Sequence, residues 1–285
     1  MADLSIKEKA IRIRKIKTAI NYTLLVFCTS LSMFPFVWMI LTSLKPSGEV
    51  LSSKIELFGS RIEWSNYSTA WNYLPFGQFM LNSLFVAVSG TVITLITSSM
   101  AAYAFSRLRF RGRDTLFGLY LTTLMIPQQV IIIPLFLMMN KMGWTNSYAS
   151  LIIPWAFTAY GTFLMRQFYL TLPYELDEAS RIDGCGHMGV FLRILLPQLK
   201  PALVTLAVIT FLGYWNGLLW PLVILNQEMM WTLPIGLQMF MGQYGTEWNL
   251  LMAATTITTI PGIIIFIFAQ KYYVQGISMS GMGGR

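Results

Sequence analysis

Few residues in this sequence could do chemistry, and most of them lie outside its apolar stretches. The single histidine, His187, belongs to no catalytic constellation and no metal-ligand set, so no catalytic and no metal site is expected. No G-x-x-x-x-G-K-[ST] segment exists to cradle phosphates, so the chain has no means of using ATP itself. Carriers driven by proton or sodium gradients place Asp, Glu or His at membrane depth, and voltage sensors place Arg there; neither pattern is present. What the apolar stretches do hold is hydrogen-bonding chemistry. Gln128 and Gln129 sit between Pro127 and Pro134, and Asn216 sits between Trp215 and Gly217. Amides bond hydroxyl groups and indoles stack on rings, so Gln128, Gln129, Trp215 and Asn216 are candidates to line a pathway for a polar solute. Their ordinary role is to satisfy carbonyls freed by proline. An unpaired amide in hydrocarbon costs several kcal/mol, so these groups face protein or water. Thr255, Thr256, Thr258 and Thr259 could serve the same pathway, although by default such hydroxyls bond their own helix.

The elements that position these groups follow from charge. Charged residues make up 11% of 285 positions and hydrophobic ones 55%, whereas a soluble domain carries about 25% charged. Asp, Glu, Lys and Arg are absent from 18–44, 64–106, 115–140, 142–165, 201–227 and 248–270. A spanning helix needs about 20 apolar residues, which gives an all-α membrane protein with spans near 20–43, 80–104, 115–139, 145–165, 202–225 and 251–272. The first stretch runs 27 residues before Lys45, too long for a cleavable signal core, and is expected to stay as an anchor. Of 20 Lys and Arg, 16 fall in the leader, the 105–114 loop, the 166–200 loop and the C-terminus. Basic loops stay in the cytoplasm, so both termini are expected inside the cell membrane. The net charge of +8 is then a topology signal and gives no reason to expect nucleic acid. Residues 1–19 form a basic cytoplasmic leader, 20–272 the six-span domain and 273–285 a cytoplasmic tail. Cys28 in a span and Cys185 in a cytoplasmic loop are not expected to pair. Small residues recur at Gly90, Thr94, Ser98 and Ala102, and again at Gly213 and Gly217. Such stripes suit close helix packing, either within the chain or against another subunit.

The 166–200 loop is too long for a plain helix connection. It reads Leu172-Pro173-Tyr174-Glu175-Leu176-Asp177-Glu178-Ala179-Ser180-Arg181-Ile182-Asp183-Gly184. Thr171 is positioned to cap a helix, the acids suit its N-terminal end and Gly184 permits a left-handed stop. Leu172, Leu176, Ala179 and Ile182 share one face by helical spacing. A second short helix is expected through Phe191 and Ile194 before Pro197 and Pro201.

This spacing resembles a known pattern. Glu178-Ala179-Ser180, Gly184, Ile194, Leu196 and Pro197 match the E-A-A-x3-G-x9-I-x-L-P loop of ATP-binding cassette importer permeases at six positions, with Ser180 where Ala is commonest. Phe34 to Trp38, Thr42 to Pro46, Asn82-Ser83-Leu84, Ala101 to Phe105, Ile126-Pro127, Trp215-Asn216, Thr232 to Leu237 and Tyr273 to Gly276 are similar to the maltose-type sugar permeases, most of all to the six-span member of the pair. The resemblance implies half of a translocation pathway for a sugar or related polar solute. It implies as partners a second permease, two copies of an ATP-binding subunit and an extracellular solute-binding protein. ATP and magnesium would sit on the partner ATPase, with no cofactor in this chain. The resemblance also makes 172–184 a coupling helix, with Glu178 its polar anchor and Gly184 its turn. Asp183 lies in the same segment, and Gln275 and Gly276 would approach the ATPase. A gradient-driven carrier, or a passive channel or scaffold, is the competing reading, and copurification of an ATPase separates them.

Overall fold

The computed structural model describes residues 2–51, 56–242 and 245–282, with side chains for 12–51, 56–242 and 246–271. Its helices in order are α1 (Ala2–Ser43), α2 (Ser65–Tyr73), α3 (Phe76–Arg107), α4 (Arg113–Thr122), α5 (Gln128–Lys141), α6 (Tyr148–Ile152), α7 (Ala159–Thr171), α8 (Glu175–Ile182), α9 (His187–Gly189), α10 (Leu196–Gln198), α11 (Lys200–Trp215), α12 (Leu219–Ile224), α13 (Leu233–Gln238) and α14 (Trp248–Met282). Val190–Leu195, between α9 and α10, winds as a π-helix. Among the described residues the only β-structure is the two-residue pair of β1 (Met241–Gly242) with β2 (Gly245–Thr246). The expected all-α class holds.

Three helical stretches, Arg12–Ser43, Phe76–Arg107 and Trp248–Lys271, are each long and apolar enough to cross a bilayer. The other apolar stretches are broken where unbroken spans were expected. The helix over Arg113–Met125 meets α5 at 100°, and that over Tyr148–Trp155 meets α7 at 46°. Within 202–225, α11 stops at Trp215 before α12 resumes at Leu219, whereas the 81° bend between the helix over His187–Gln198 and α11 falls near Pro197 and Pro201, where the short helix of the loop was expected to end. The first break has a local cause. Proline disfavours helical backbone in the residue before it, and Ile126 before Pro127 lies at φ −85°, ψ 115°. Helix α1 runs without a break from Ala2 to Ser43, through the leader and the first apolar stretch.

The chain forms two compact units. The first comprises residues 1–70 and 240–257. A buried polar knot closes it: Asn66 donates from Nδ2 to the carbonyls of Ser43 and Lys45, both at 2.8 Å, and accepts from Asn249 at 3.1 Å. The Ser43 hydroxyl meets the Tyr67 hydroxyl at 2.7 Å. Lys45 is buried, donates to the Glu56 carbonyl and lies 5.5 Å from the Trp38 ring. In the exposed turn beside it, the Ser60 hydroxyl and N–H hold the Glu49 carboxyl below the usual carboxylate range.

The second unit comprises residues 71–239 and 258–285 and is built around α3, which packs against both α7 and α11. The small-residue stripe of α3 is the seam of this packing. A Cβ on Gly90 would lie 2.5 Å from the Tyr214 ring of α11, and one on Gly161 of α7 would lie 2.5 Å from Ser98 Oγ. The stripe therefore serves close approach within the chain, as small residues do in lipid. Two apolar cores flank the seam, one around Tyr103, Tyr169 and Phe191, the other around Val86, Ile152 and Trp220.

Candidate functional site

The 166–200 loop folds onto the end of α3. Helix α8 starts at Glu175, later than expected, and Thr171 does not cap it. Thr171 closes α7 instead, its hydroxyl donating to the Phe168 carbonyl at 2.8 Å. The end of α8 follows the expected stop in detail. Gly184 has φ +82°, its N–H bonds the Arg181 carbonyl at 3.0 Å, and the Cys185 N–H bonds the Ser180 carbonyl at 2.9 Å. These are the two hydrogen bonds of the Schellman motif, which glycine permits at no steric cost. Nothing within 4 Å would meet a Cβ on Gly184.

The face assignment needs correction. Leu172 and Leu176 do pack inward, but Ile182 is 86% exposed and Ala179 is exposed, while Asp177 and Ser180 are the buried residues of α8. An ion pair explains the rotation. Arg107, the last residue of α3, places Nη1 3.1 Å from Asp177 Oδ2, with the two side chains 4% and 1% exposed. The same guanidinium donates from Nη2 to the carbonyls of Tyr169 at 2.5 Å and Leu172 at 2.7 Å. It also lies 5.7 Å from the Tyr174 ring. One planar fork thus ties three elements, a task that suits arginine better than lysine. The pairing is ionic and incomplete: neither Asp177 carboxylate oxygen nor Arg107 Nε has a hydrogen-bond partner.

The recognised residues therefore divide by what they can touch. Glu178, Ala179, Asp183 and Gly184 are exposed and form the outer surface of α8 and its stop. Ser180 is buried, its hydroxyl donating to the Leu176 carbonyl at 2.5 Å. Ile194 and Leu196 pack against the core under the loop, and Pro197 is exposed in α10. An open hollow of about 550 Å³ lies beside α8, lined among others by Arg109, Tyr174, Glu178, Arg181 and His187. Arg181 reaches His187 Nδ1 at 3.3 Å, and the Tyr103 hydroxyl donates to the His187 carbonyl at 3.1 Å. Residue spacing missed the buried pair of Arg107 and Asp177. The available signal was an acid on the same flank as Leu176 and an arginine ending a stretch of 43 residues, 64–106, free of charge.

The pathway candidates do not behave alike. Gln128 and Gln129 open α5 at the 100° break and are exposed, as are Met125 and Val130 around them. Asn216 is exposed at the end of α11. Trp215 is buried, stacked on Phe211 with centroids 5.6 Å apart, and its indole N–H donates to the Thr258 carbonyl at 3.2 Å. It braces α11 against α14. Thr255 and Thr256 bond the carbonyls of Leu251 and Met252 in their own helix, each at 2.7 Å. Gln275 and Gly276 fall in 272–282, whose side chains lie outside the described residues. Among the described residues no three His, Cys, Asp or Glu side chains gather as a metal site, and Cys28 and Cys185 are free thiols.

A helical chain with spanning and broken apolar helices, carrying one amphipathic helix on the end of its central span, has the architecture of a transporter membrane subunit. Residues 94–279 match the family model for the binding-protein-dependent transport system inner membrane component. The chain belongs to this family. It is 36% identical over 261 residues to the arabinooligosaccharides transport system permease protein AraQ of Halalkalibacterium halodurans, covering 90% of this chain and 94% of that protein. It is 37% identical over 265 residues to the sn-glycerol-3-phosphate transport system permease protein UgpE of Yersinia pestis, covering 90% and 94%. A crystal structure of a bacterial ABC transporter involved in the import of the acidic polysaccharide alginate superposes with a TM-score of 0.80 at 25% identity, covering 91% of this chain and 97% of that one. The chain is an ABC importer permease, a membrane-integral transport subunit and not an enzyme; the ATPase of such importers is a separate subunit.

Proposed function

We propose that this permease carries a sugar or related polyol through six spans, with both termini cytoplasmic, beside a second permease and two copies of an ATPase. ATP and magnesium bind the ATPase subunits. The observation that carries the reading is the outer face of α8, where Glu178 and Ala179 stand exposed ahead of the glycine-built stop. This face docks in a cleft of the ATPase, and the buried face holds α8 to the permease. Gln275 and Gly276 extend the docking surface. The six-span count takes each bent pair as one span, and the orientation rests on the concentration of arginine and lysine in alternate loops. The large apolar side chains of α1 from Ile13 to Val37 are exposed in the single chain, a surface that the second permease covers in part. Gln128, Gln129 and Asn216 supply amides to the pathway, and the absence of charge from the spans suits a neutral solute. The oligosaccharide named for AraQ supports the sugar. The glycerol phosphate named for UgpE marks the nearest alternative.

Two experiments test this. Reporter fusions after Ser106 and within 185–190 read cytoplasmic, and fusions at Ser60 and Gln227 read external. A cytoplasmic reading at Gln227 breaks the six-span model. Affinity purification of the tagged chain from its own host brings down an ATPase and a second permease, while the chain alone hydrolyses no ATP. Recovery of the chain without an ATPase, together with ion-gradient-driven uptake by the chain alone, would replace the importer by a carrier.

A further inference from the structure

Helix α3 is gripped by buried polar groups at both ends, and only one end meets α8. At the far end Asn82, 1% exposed, donates from Nδ2 to the carbonyls of Met229 at 2.8 Å and Trp231 at 2.9 Å. Its Oδ1 accepts from Gln78 Nε2 at 2.9 Å and from the Tyr148 hydroxyl at 2.8 Å, so the amide is fully used. Ser83 beside it accepts the Leu233 N–H at 2.7 Å. Gly236 sits so close to Phe79 that a Cβ there would lie 2.5 Å from the ring. These contacts fasten 229–236 to the first turns of α3.

We propose that α3 is the rod by which ATP-driven movement of α8 reaches the 226–238 loop, with Arg107 and Asn82 as positioning residues at its two ends. The inference rests on the docking of α8 in an ATPase. Three observations favour a rod. Asn82 and Arg107 stand 25 residues apart on one helix, about 38 Å at 1.5 Å per residue. No proline or break interrupts α3, whereas the apolar stretches carrying α4 to α7 and α10 to α12 in the same unit are bent or broken and absorb displacement at their hinges. Asn82 and Arg107 hold the loop and the end of α7 by hydrogen bonds, which are directional, and Arg107 holds α8 by a buried ion pair, while the apolar core under the loop is non-directional. A push on α8 is then transmitted by the guanidinium fork and delivered by the Asn82 amide.

The test uses the complex of the full chain with the ATPase that copurifies with it, in a background of Cys28→Ser and Cys185→Ser. Met229→Cys, at a position 60% exposed, reports the loop through its labelling rate with a charged maleimide. Rates are compared without nucleotide and after trapping with MgATP and orthovanadate, per ATPase-bound complex. The parent shows a nucleotide-dependent rate. The variant pair Arg107→Met with Asp177→Leu, and separately Asn82→Leu, brings the ratio of the two rates to unity, although Asn82 is remote from the ATPase. A ratio unchanged in both variants, or a parent with no nucleotide dependence, overturns the rod. An ATPase that does not copurify with the parent overturns the importer reading instead.

Discussion

Replacing Gly184 by Asn is expected to abolish coupling to the ATPase while leaving the permease folded and inserted. The left-handed backbone at φ +82° costs an ordinary L-residue about 1–2 kcal/mol. Asparagine is among the side chains that tolerate this region best, and a Cβ at Gly184 meets nothing within 4 Å in the single chain. The substitution therefore strains the chain little. What it adds is a side chain on the surface that docks. A control is built into the fold: Gly112 has φ +81° and equally open surroundings in the neighbouring 108–113 loop. Gly112→Asn carries the same backbone cost and retains the ATPase. Glu178→Ala removes one exposed charge, and such surface changes usually stay within about 0.5 kcal/mol of stability. Recovery of ATPase with tagged Gly184→Asn falls about tenfold or more, equivalent to at least about 1.4 kcal/mol of association. Glu178→Ala lowers it less, with abundance in the membrane unchanged for all three variants. Equal ATPase recovery with Gly184→Asn and Gly112→Asn removes the docking assignment.

The positions legible in the sequence are those fixed by local chemistry. Gly184 reads as a left-handed stop because no other residue type ends a helix so readily, and the two Schellman hydrogen bonds are there. The apolar stretches read as membrane helices because charge is excluded from them. The breaks were less legible. Ile126-Pro127 carries a signal that limits its own backbone, yet the 100° between the two helices is set by packing that no dipeptide encodes. Least legible was the orientation of α8. Helical spacing favoured a face of Leu172, Leu176, Ala179 and Ile182, and it failed at Ile182 because Arg107, 70 positions away, draws Asp177 inward. A guanidinium already bonded to two carbonyls of the preceding turn decides which face is buried. The partner of Trp215 was equally out of reach of spacing: its indole N–H donates to the Thr258 carbonyl, 43 residues away.

The ion pair supplies the other large effect, on stability. Asp177→Ala leaves the Arg107 guanidinium, 4% exposed, without its counter-charge. Removing one partner of a buried pair costs about 3–5 kcal/mol, a large part of the roughly 5–15 kcal/mol that holds a typical domain together. The carbonyls of Tyr169 and Leu172 still solvate the cation, which places the loss toward the lower end of that range. Replacing both partners by apolar residues of similar size is a different perturbation. Arg107→Met with Asp177→Leu removes both desolvation penalties and adds apolar contact beside Leu172 and Leu176, which already pack there; such swaps are often neutral or stabilising. The expected order of thermal stability in detergent is therefore parent and double variant together, with Asp177→Ala well below. Asp177→Asn falls between, because the amide keeps a polar oxygen facing Nη1, 3.1 Å from Oδ2 in the parent, but supplies no charge. Melting temperature and membrane abundance of the four chains check this order. If Asp177→Ala melts with the parent, the pair contributes nothing and α8 is held by its apolar neighbours alone. If the double variant melts as low as the single one, the carbonyls of Tyr169 and Leu172 left without their donor carry the cost, and the guanidinium stabilises the loop by its hydrogen bonds and not by its charge.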